Sequence, residues 1–190
     1  MRVFFILTLV TYLCTSCNQM NTEPVKEIVY LDKPEDTSVK RGKYLVNSMD
    51  CNACHTPKIM TERGPQMDAS RLLSGYPSDR PIPDFDEQIV SQGVLFPHPD
   101  LTAAMGPWGI SFAGNLTPDE TGIGTWSLEQ FKIALQKGKH KGLEGSRTLM
   151  PPMPWESYAQ LSDADVEAVY NYLKSIPSIE NIVPSHVRPE

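Results

Sequence analysis

The feature that most constrains this chain is the five-residue run Cys51-Asn52-Ala53-Cys54-His55. A C-x-x-C-H run is typical of covalent haem attachment, in which the two thiols add to the two vinyl groups of the porphyrin. A tight helical turn brings both sulfurs under one edge of the macrocycle, and the adjacent histidine then lies beneath the iron with its Nε2 atom as a ligand. The run therefore predicts one haem c, held by Cys51, Cys54 and His55.

Three other interpretations of such a short run compete with haem attachment: half of a zinc site, a redox-active dithiol and a chance match. A structural zinc site needs a second pair of ligands, but no further cysteine follows the run. The remaining histidines are scattered along the chain, at His98, His140 and His186. A thioredoxin-like dithiol needs a βαβ context, which the flanking sequence lacks. Haem attachment is therefore the favoured interpretation.

Residues 1–16 have the pattern of an export signal, because Arg2 precedes an apolar run at residues 3–10. This run is much shorter than the roughly 20 apolar residues that span a bilayer. Small residues just before Cys17 resemble the cleavage site of a bacterial lipoprotein, which predicts a lipid on Cys17. A plain cleaved signal with a similar end point is the alternative, and it predicts a soluble periplasmic protein.

The cysteine count agrees with the lipoprotein interpretation, since the chain has four cysteines. Cys14 leaves with the leader, Cys17 carries lipid, and Cys51 and Cys54 carry haem, so no thiol remains for a disulfide bond. Haem attachment to such motifs takes place outside the cytoplasm in bacteria. We therefore expect a lipoprotein anchored to a membrane on its periplasmic side.

Behind the leader, residues 17–37 are polar and carry few large apolar side chains, which predicts a tether. Residues 38–190 are expected to form one domain. Within it, residues 56–114 contain eight prolines, which exclude long helices and central strands. The same stretch has too many large apolar residues for a disordered segment. We therefore expect an ordered wrap of turns around the haem edge.

Three apolar patterns with helical spacing predict the helices of the domain. Ser38, Ser127 and Ser162 precede these patterns and are the expected N-caps. Gln130, three residues after Ser127, completes the pattern of a capping box. Gly42 lies inside the first helix, where glycine costs about 1 kcal/mol relative to alanine. The close approach of another helix is the expected reason for its presence.

The net charge is −6, and it becomes −7 when Arg2 leaves with the leader. This balance argues against nucleic acid and against anionic membrane surfaces as partners. An acidic surface suits docking to a protein with a positive patch, although it also occurs on proteins whose surface is simply solvated.

A haem iron with one histidine has an open face, and the residue that fills it decides between electron transfer and ligand chemistry. Met150 and Met153 lie in a proline-rich run, T-L-M-P-P-M-P-W at residues 148–155. A thioether held between prolines has few alternative conformations, which suits a soft and weak ligand. Isolated methionines more often fill gaps in a core. His140 is the other candidate for the distal ligand.

These features together resemble class I c-type cytochromes, and among them the single-haem exported cytochromes related to haem subunits of bacterial membrane dehydrogenases. The resemblance spans about residues 39–184. It rests on Gly42-Lys43-Tyr44-Leu45, the haem motif with Thr56-Pro57, Gly64-Pro65, Leu73-Ser74-Gly75-Tyr76-Pro77, Gly114-Asn115-Leu116-Thr117-Pro118-Asp119, Thr121-Gly122-Ile123-Gly124-Thr125-Trp126, Pro152-Met153-Pro154-Trp155, and Asp165 with Tyr170-Asn171-Tyr172-Leu173.

The resemblance implies an all-α, class I cytochrome c fold with three to four helices around one covalent haem and a long Pro-rich irregular insertion. In that family the methionine of the Pro-Met-Pro-aromatic run is the distal ligand, which corresponds to Met153. The resemblance also implies that the Pro65 carbonyl accepts a hydrogen bond from Nδ1 of His55. It further implies that the first helix crosses the last near Tyr170 and Leu173.

The function that the resemblance implies is electron transfer, without catalysis by the chain itself. Electrons are expected to come from a dehydrogenase or a reductase complex and to pass to a terminal oxidase. The alternative is a fixed haem subunit of such a dehydrogenase. It differs from a free carrier only in that it stays bound to its partner. The rival is a haem enzyme or gas sensor, whose sixth iron position is open or labile. Trp108, Asn115, Trp126 and Arg147 are candidates to contact the haem propionates, and each is also explained as a packing or turn residue.

Overall fold

The computed structural model of the chain describes residues 36–84 and 86–189. The predicted signal peptide, Cys17 and the predicted tether up to residue 35 lie outside the described residues. The helices are α1 (Thr37–Ser48), α2 (Cys51–His55), α3 (Glu87–Ser91), α4 (Leu128–Lys137), α5 (Trp155–Tyr158) and α6 (Asp163–Ser175). The strands are β1 (Lys58–Thr61), β2 (Gly64–Met67), β3 (Phe96–Pro97), β4 (Ala103–Gly106) and β5 (Gly109–Phe112). Single turns of 3-10 helix lie at Ala69–Arg71 and His140–Gly142.

Helices α1 and α6 cross at Gly42, where the two backbones touch. Gly42 is buried, and a Cβ atom on it would overlap the carbonyl of Ala168 and the Cβ atom of Tyr172. The contact lies within one turn of Tyr170, where the crossing is expected from the sequence. The close approach therefore explains why a residue with poor helix propensity occupies this position.

The main core lies between α1, α4, α6 and the loops that precede α4. Its members come from all three long helices and from two loop positions. They are Leu45, Val46, Leu73, Ile123, Phe131, Val166, Val169 and Leu173. The helices that supply most of these residues have 12, 10 and 13 residues. This agrees with the helical centre that the sequence predicts.

The N-cap of α1 differs from the expectation. The helix begins at Thr37, and Asp36 caps it by accepting a hydrogen bond of 2.9 Å from the backbone N–H of Ser38. The Ser38 hydroxyl instead accepts a hydrogen bond of 3.0 Å from the side chain of Asn171. Asp is as good an N-cap as Ser, and the helix starts at the earlier of the two capping residues.

The predicted caps of α4 and α6 are confirmed, although the capping box is incomplete. Ser127 accepts a hydrogen bond from the backbone N–H of Gln130, and Ser162 accepts one from that of Asp165. The Gln130 side chain does not return to the N-cap, because it donates to the carbonyl of Lys141 at 2.8 Å. Gln130 therefore ties α4 to the following loop.

Residues 56–114 are more regular than predicted, so the all-α expectation is corrected to a mainly helical fold with two small antiparallel sheets. Strands β1 and β2 form a hairpin, and β3, β4 and β5 form a sheet in that order. The prolines do not prevent these strands because they lie at edges. Pro65 pairs with Met60 in a two-stranded hairpin, and Pro97 lies in the edge strand β3.

Residues 178–189, here called the C-terminal strap, run back along the loops and sheets that follow the haem motif. Ile110 of β5 and Val187 exchange two backbone hydrogen bonds of 2.9 and 3.1 Å. His186 donates from Nε2 to the carbonyl of Trp108 at 2.6 Å. Asn181, nearer the start of the strap, is buried. In the part of the chain that the structure describes, no helix has the length and apolar character needed to cross a membrane.

Candidate haem site

The haem motif forms the short helix α2, which is bounded by residues of non-helical conformation on both sides. Asp50 precedes it in the left-handed region, with φ of 55°, and Thr56 follows it in an extended conformation. Residues three apart lie on one side of a helix. The sulfurs of Cys51 and Cys54 therefore share a side of α2, and His55 ends the same helix.

Cys51 and Cys54 form no disulfide bond with each other, and both are half-buried. Burial raises the pKa of Cys51 to about 11, and the negative charge of Asp50 adds to the rise. Burial also raises the pKa of Cys54, against the opposing effect of Lys58. Reactive dithiol centres need lowered pKa values, because the thiolate is the nucleophile. The two thiols therefore lack the electrostatic setting of a redox-active pair.

The imidazole of His55 is oriented by a backbone carbonyl. Its Nδ1 atom lies 2.8 Å from the carbonyl oxygen of Gly114. Since a carbonyl can only accept, Nδ1 carries the proton and Nε2 presents its lone pair. Burial lowers the pKa of His55, and the bond to Gly114 raises it in part. The ring is therefore a neutral imidazole with Nε2 available as a ligand.

The carbonyl that the resemblance implies, that of Pro65, does not make this contact. Pro65 lies in the hairpin β1–β2, opposite Met60. The loop that follows β5 instead returns to the motif and brings Gly114 to the ring. The expectation for Pro65 is therefore corrected to Gly114, because Pro65 is paired in the hairpin and the Gly114 carbonyl lies against the ring.

Thr56 joins the motif to the core and has no counterpart among the predicted site residues. It is completely buried. Its hydroxyl donates to the side chain of Asn52 at 2.7 Å and accepts from the backbone N–H of Leu73 at 2.9 Å. The backbone N–H of Gly75 donates to the carbonyl of His55 at 2.8 Å. The turn that follows the 3-10 helix at Ala69–Arg71 therefore fixes the end of α2.

Residues 147–156 line an open cavity of about 600 Å³. This volume lies within the range of about 300–1,000 Å³ that is usual for cofactor pockets. The segment is fixed from two sides. The backbone N–H of Leu149 donates to the carbonyl of Gly138 at 2.7 Å, and the hydroxyl of Ser111 donates to the carbonyl of Pro151 at 2.6 Å.

Both candidate methionines, Met150 and Met153, line this cavity and are half-buried. Helix α5 begins two residues after Met153, and its Tyr158 reaches the haem motif. The Tyr158 hydroxyl donates to the carbonyl of Met49 at 3.1 Å. Burial raises the pKa of Tyr158, and the neighbouring Cys51 adds to the rise. Tyr158 thus links α5, which follows the methionine segment, to a residue two positions before Cys51.

His140, the other candidate for the distal ligand, lies beside the start of the same segment. Its backbone N–H donates to the carbonyl of Arg147 at 2.9 Å. Burial lowers the pKa of the His140 imidazole, and the positive charges of Arg147 and Lys141 lower it further. The His140 imidazole is therefore neutral, as an iron ligand must be, and it lies close to the methionine segment.

Among the candidates for contact with the haem propionates, Asn115 already uses its side-chain amide in hydrogen bonds within the protein. Its Nδ2 atom donates to Thr121 at 3.1 Å and to the carbonyl of Ile179 at 2.8 Å. Its Oδ1 atom accepts from the backbone N–H of Thr117 at 2.9 Å. The interpretation of Asn115 as a turn residue is therefore the better one. Arg147, by contrast, lines the cavity.

The donors of the site fit haem c. Two half-buried thiols share one side of α2, and the helix ends in a neutral imidazole with a free Nε2 atom. The half-buried thioethers of Met150 and Met153 line an open cavity whose lining residues, 147–156, do not include the motif. This set contains the groups for two thioether bonds, one strong nitrogen ligand and one soft sulfur ligand. The fold and the site thus define the class of haem c-binding proteins.

The chain belongs to the cytochrome c family, whose model, described as Cytochrome c, matches residues 39–177. The resemblance inferred from the sequence is therefore confirmed, and so is the covalent haem c that it implies.

The relatives of this chain include cytochrome subunits of dehydrogenases. The gluconate 2-dehydrogenase cytochrome c subunit of Pantoea cypripedii is 34% identical over 142 residues, which cover 74% of this chain and 24% of that protein. The fructose dehydrogenase cytochrome subunit of Gluconobacter japonicus is 32% identical, with 72% and 21% covered. The alcohol dehydrogenase (quinone) cytochrome c subunit of Gluconobacter oxydans (strain 621H) is also 32% identical, with 73% and 21% covered. The chain thus spans less than a quarter of the length of these relatives.

Proposed function

We propose that this chain transfers electrons through one covalently bound haem c on the periplasmic side of a bacterial membrane. In this proposal Cys51 and Cys54 form the thioether bonds, His55 is the proximal ligand and Met153 is the distal ligand. The observation that carries the proposal is the hydrogen bond between His55 and Gly114. It orients an imidazole on the same short helix that presents both thiols.

Haem c supplies an iron that alternates between the ferrous and ferric states. The chain supplies two neutral ligands for it. His55 is neutral because burial lowers its pKa and the Gly114 carbonyl keeps the proton on Nδ1. The thioether of Met153 is neutral as well, which favours the ferrous state and raises the reduction potential. Neither ligand has to leave or to exchange a proton when an electron passes.

The choice of Met153 over Met150 rests on the proline pattern. Both side chains line the cavity. Met153 has Pro152 and Pro154 as direct neighbours, and the Pro-Met-Pro-aromatic run corresponds to the distal ligand of the family.

The proposed partners follow from the names of the relatives, which are subunits of gluconate, fructose and alcohol dehydrogenases. We propose a membrane dehydrogenase, or a reductase complex, as the electron donor and a terminal oxidase as the acceptor. We also propose that lipid on Cys17 anchors the chain to the membrane. The acidic net charge of −6 suits a partner with a positive docking surface.

The distal ligand is tested by visible spectroscopy of the haem-loaded protein. The oxidised protein should show the long-wavelength charge-transfer band of sulfur bound to ferric iron. Met153→Ala should abolish this band and allow carbon monoxide to bind rapidly to the reduced protein. Met150→Ala is the matched control, since it removes the other thioether that lines the cavity, and it should retain the band.

Two other results would contradict parts of the proposal. A band that survives Met153→Ala and disappears in Met150→Ala would exchange the two assignments. An unaltered protein without the band, which binds carbon monoxide rapidly, would indicate an open iron position and hence a haem enzyme or gas sensor.

A further inference from the structure

Asn181 is a buried polar residue in the C-terminal strap, far along the chain from the haem motif. Only 7% of its surface is exposed. Its Nδ2 atom donates to the carbonyls of Ser74 and Tyr76, at 2.6 and 2.9 Å. Its Oδ1 atom accepts from the backbone N–H of Ser78 at 2.8 Å. A single amide therefore clamps the turn at residues 74–78.

The clamped turn contacts both the backbone of His55 and the segment that orients its ring. The backbone N–H of Gly75 donates to the carbonyl of His55 at 2.8 Å. The backbone N–H of Tyr76 donates to the carbonyl of Ala113 at 3.0 Å. Ala113 directly precedes Gly114, whose carbonyl accepts the hydrogen bond from Nδ1 of His55. The turn thus fixes the position of His55 relative to the Gly114 carbonyl that accepts its hydrogen bond.

The turn is packed closely against the backbone of residues 113 and 114. Gly75 has φ of 81°, in the left-handed region, and a Cβ atom there would overlap the backbone of Ala113 and Gly114. The strap also holds the other flank of the acceptor, because the carbonyl of Ile179 accepts a hydrogen bond of 2.8 Å from Asn115. Both neighbours of Gly114 are therefore tied to the strap, Ala113 through the clamped turn and Asn115 directly.

We propose that Asn181 is a positioning residue for His55, which keeps the Gly114 carbonyl within hydrogen-bonding distance of Nδ1 and so sets the reduction potential of the bound haem. This inference rests on the proposed function, since it takes His55 as the iron ligand. The part of the chain that matches the cytochrome c family ends at residue 177. The clamp therefore comes from a segment outside the matched region.

The direction of the effect follows from the hydrogen bond that His55 makes through Nδ1. A hydrogen bond from Nδ1 to a carbonyl raises the basicity of the imidazole, and a more basic ligand stabilises ferric iron. Release of the clamp weakens this bond, so the reduction potential rises. An asparagine that only satisfied the buried carbonyls of the turn would affect stability and leave the potential unchanged.

The test uses the full chain matured with covalent haem, in the variants Asn181→Leu and Asn181→Ser. A redox titration followed by haem absorption gives the ratio of reduced to oxidised protein. At a fixed solution potential, we expect this ratio to rise at least threefold in Asn181→Leu, which is about 28 mV at 59 mV per tenfold change for one electron. Proton NMR of the reduced protein should show faster solvent exchange of the Nδ1 proton of His55. Asn181→Ser retains a short donor and should give a smaller shift of the same sign.

Ser178→Ala is the matched control, because Ser178 lies in the same strap and donates to Asp119 at 2.9 Å. It should leave the potential unchanged. An unchanged potential and unchanged Nδ1 exchange in both Asn181 variants, even with a lower melting temperature, would overturn the inference. If Asn181→Leu does not accumulate, Asn181→Ser decides by the same criteria. Failure of the proposed function would appear separately, as an unaltered chain without haem c or without histidine ligation.

Discussion

Asp100 is a buried charge whose hydrogen bonds keep it ionised. Its side chain is 5% exposed. It accepts hydrogen bonds from Thr102 at 2.6 Å, from Arg80 at 2.6 Å and from Nδ1 of His98 at 2.6 Å. Burial opposes the charge, but the hydrogen bonds from Thr102, Arg80 and His98 outweigh it, so the pKa of Asp100 lies well below its ordinary value. The carboxylate therefore ties the sheet β3–β5 to the loop that carries Arg80.

The lowered pKa of Asp100 has a definite consequence for stability against pH. Its ionised form stabilises the fold above the ordinary Asp pKa of about 3.9, and this contribution is lost as the pH falls from there toward the folded-state pKa. We predict that Asp100→Asn loses roughly 3 kcal/mol of unfolding free energy at pH 7. The difference from the unaltered protein should shrink at pH 3. Urea unfolding of the haem-loaded proteins at both pH values measures it.

Asp79→Asn is the control for this prediction. Asp79 pairs with Arg71 at the surface and is 68% exposed. Exposed ion pairs contribute little to stability, so this variant should unfold at nearly the same urea concentration as the unaltered protein. If Asp100→Asn lowered the unfolding free energy equally at pH 7 and pH 3, the ionised carboxylate would not be the source of the stabilisation.

The contact between α1 and α6 determines the position of the haem motif. Helix α1 leads into α2 through Asp50, so the position of α1 against α6 determines where the cysteines begin. The contact depends on Gly42, which has no side chain to separate the backbones. Helix α6 contributes Val166, Val169 and Leu173 to the core on the same side.

We predict that Gly42→Ala destabilises the protein, although alanine is the better helix former. Overpacking against a backbone carbonyl costs about 3 kcal/mol, and alanine returns about 1 kcal/mol in helix propensity. The expected net loss is about 2 kcal/mol, measured by urea unfolding. Gly145→Ala is the control, because a Cβ atom there would meet nothing within 4 Å. A stabilised Gly42→Ala protein would show that the helices can separate without cost.

The described part of the molecule is held together by segments that are distant in sequence. The C-terminal strap pairs with β5 through Val187 and clamps the turn behind the motif through Asn181. The insertion after the motif therefore packs between α2 and the end of the chain. This arrangement links the sheets of the insertion to the ring of His55, through the loop that carries Gly114.

The proposed lipid anchor is tested on the whole protein in its membrane. Acyl chains contribute about 0.8 kcal/mol for each buried CH₂ group, so loss of the lipidated residue should release the chain. We predict that Cys17→Ser moves the protein from the membrane fraction to the soluble periplasmic fraction and retains the haem c spectrum. Cys14→Ser alters only the leader in this proposal and should stay with the membrane.

A Cys17→Ser protein that has lost its leader and still remains in the membrane fraction after a high-salt wash would contradict the lipid anchor. Co-purification from solubilised membranes complements this test. A dehydrogenase that stays bound through purification would indicate a fixed subunit, and a chain that purifies alone would indicate a free carrier.

The sequence by itself determined the haem motif, the helices capped by Ser127 and Ser162, and the glycine at the helix crossing. Each of these depends on neighbouring residues in one turn or on one steric requirement, so local chemistry is sufficient. The strands of residues 56–114 were not predicted, because pairing joins separate segments and edge positions tolerate proline.

Only the tertiary structure decided which carbonyl meets His55 and which residue fixes that carbonyl. Every residue has a backbone carbonyl, so no side-chain pattern marks Gly114, which lies 59 positions from His55. Asn181 is likewise an ordinary polar residue in sequence, and its contacts lie more than 100 positions away. Such contacts arise when distant segments are packed together and their buried polar groups must find partners.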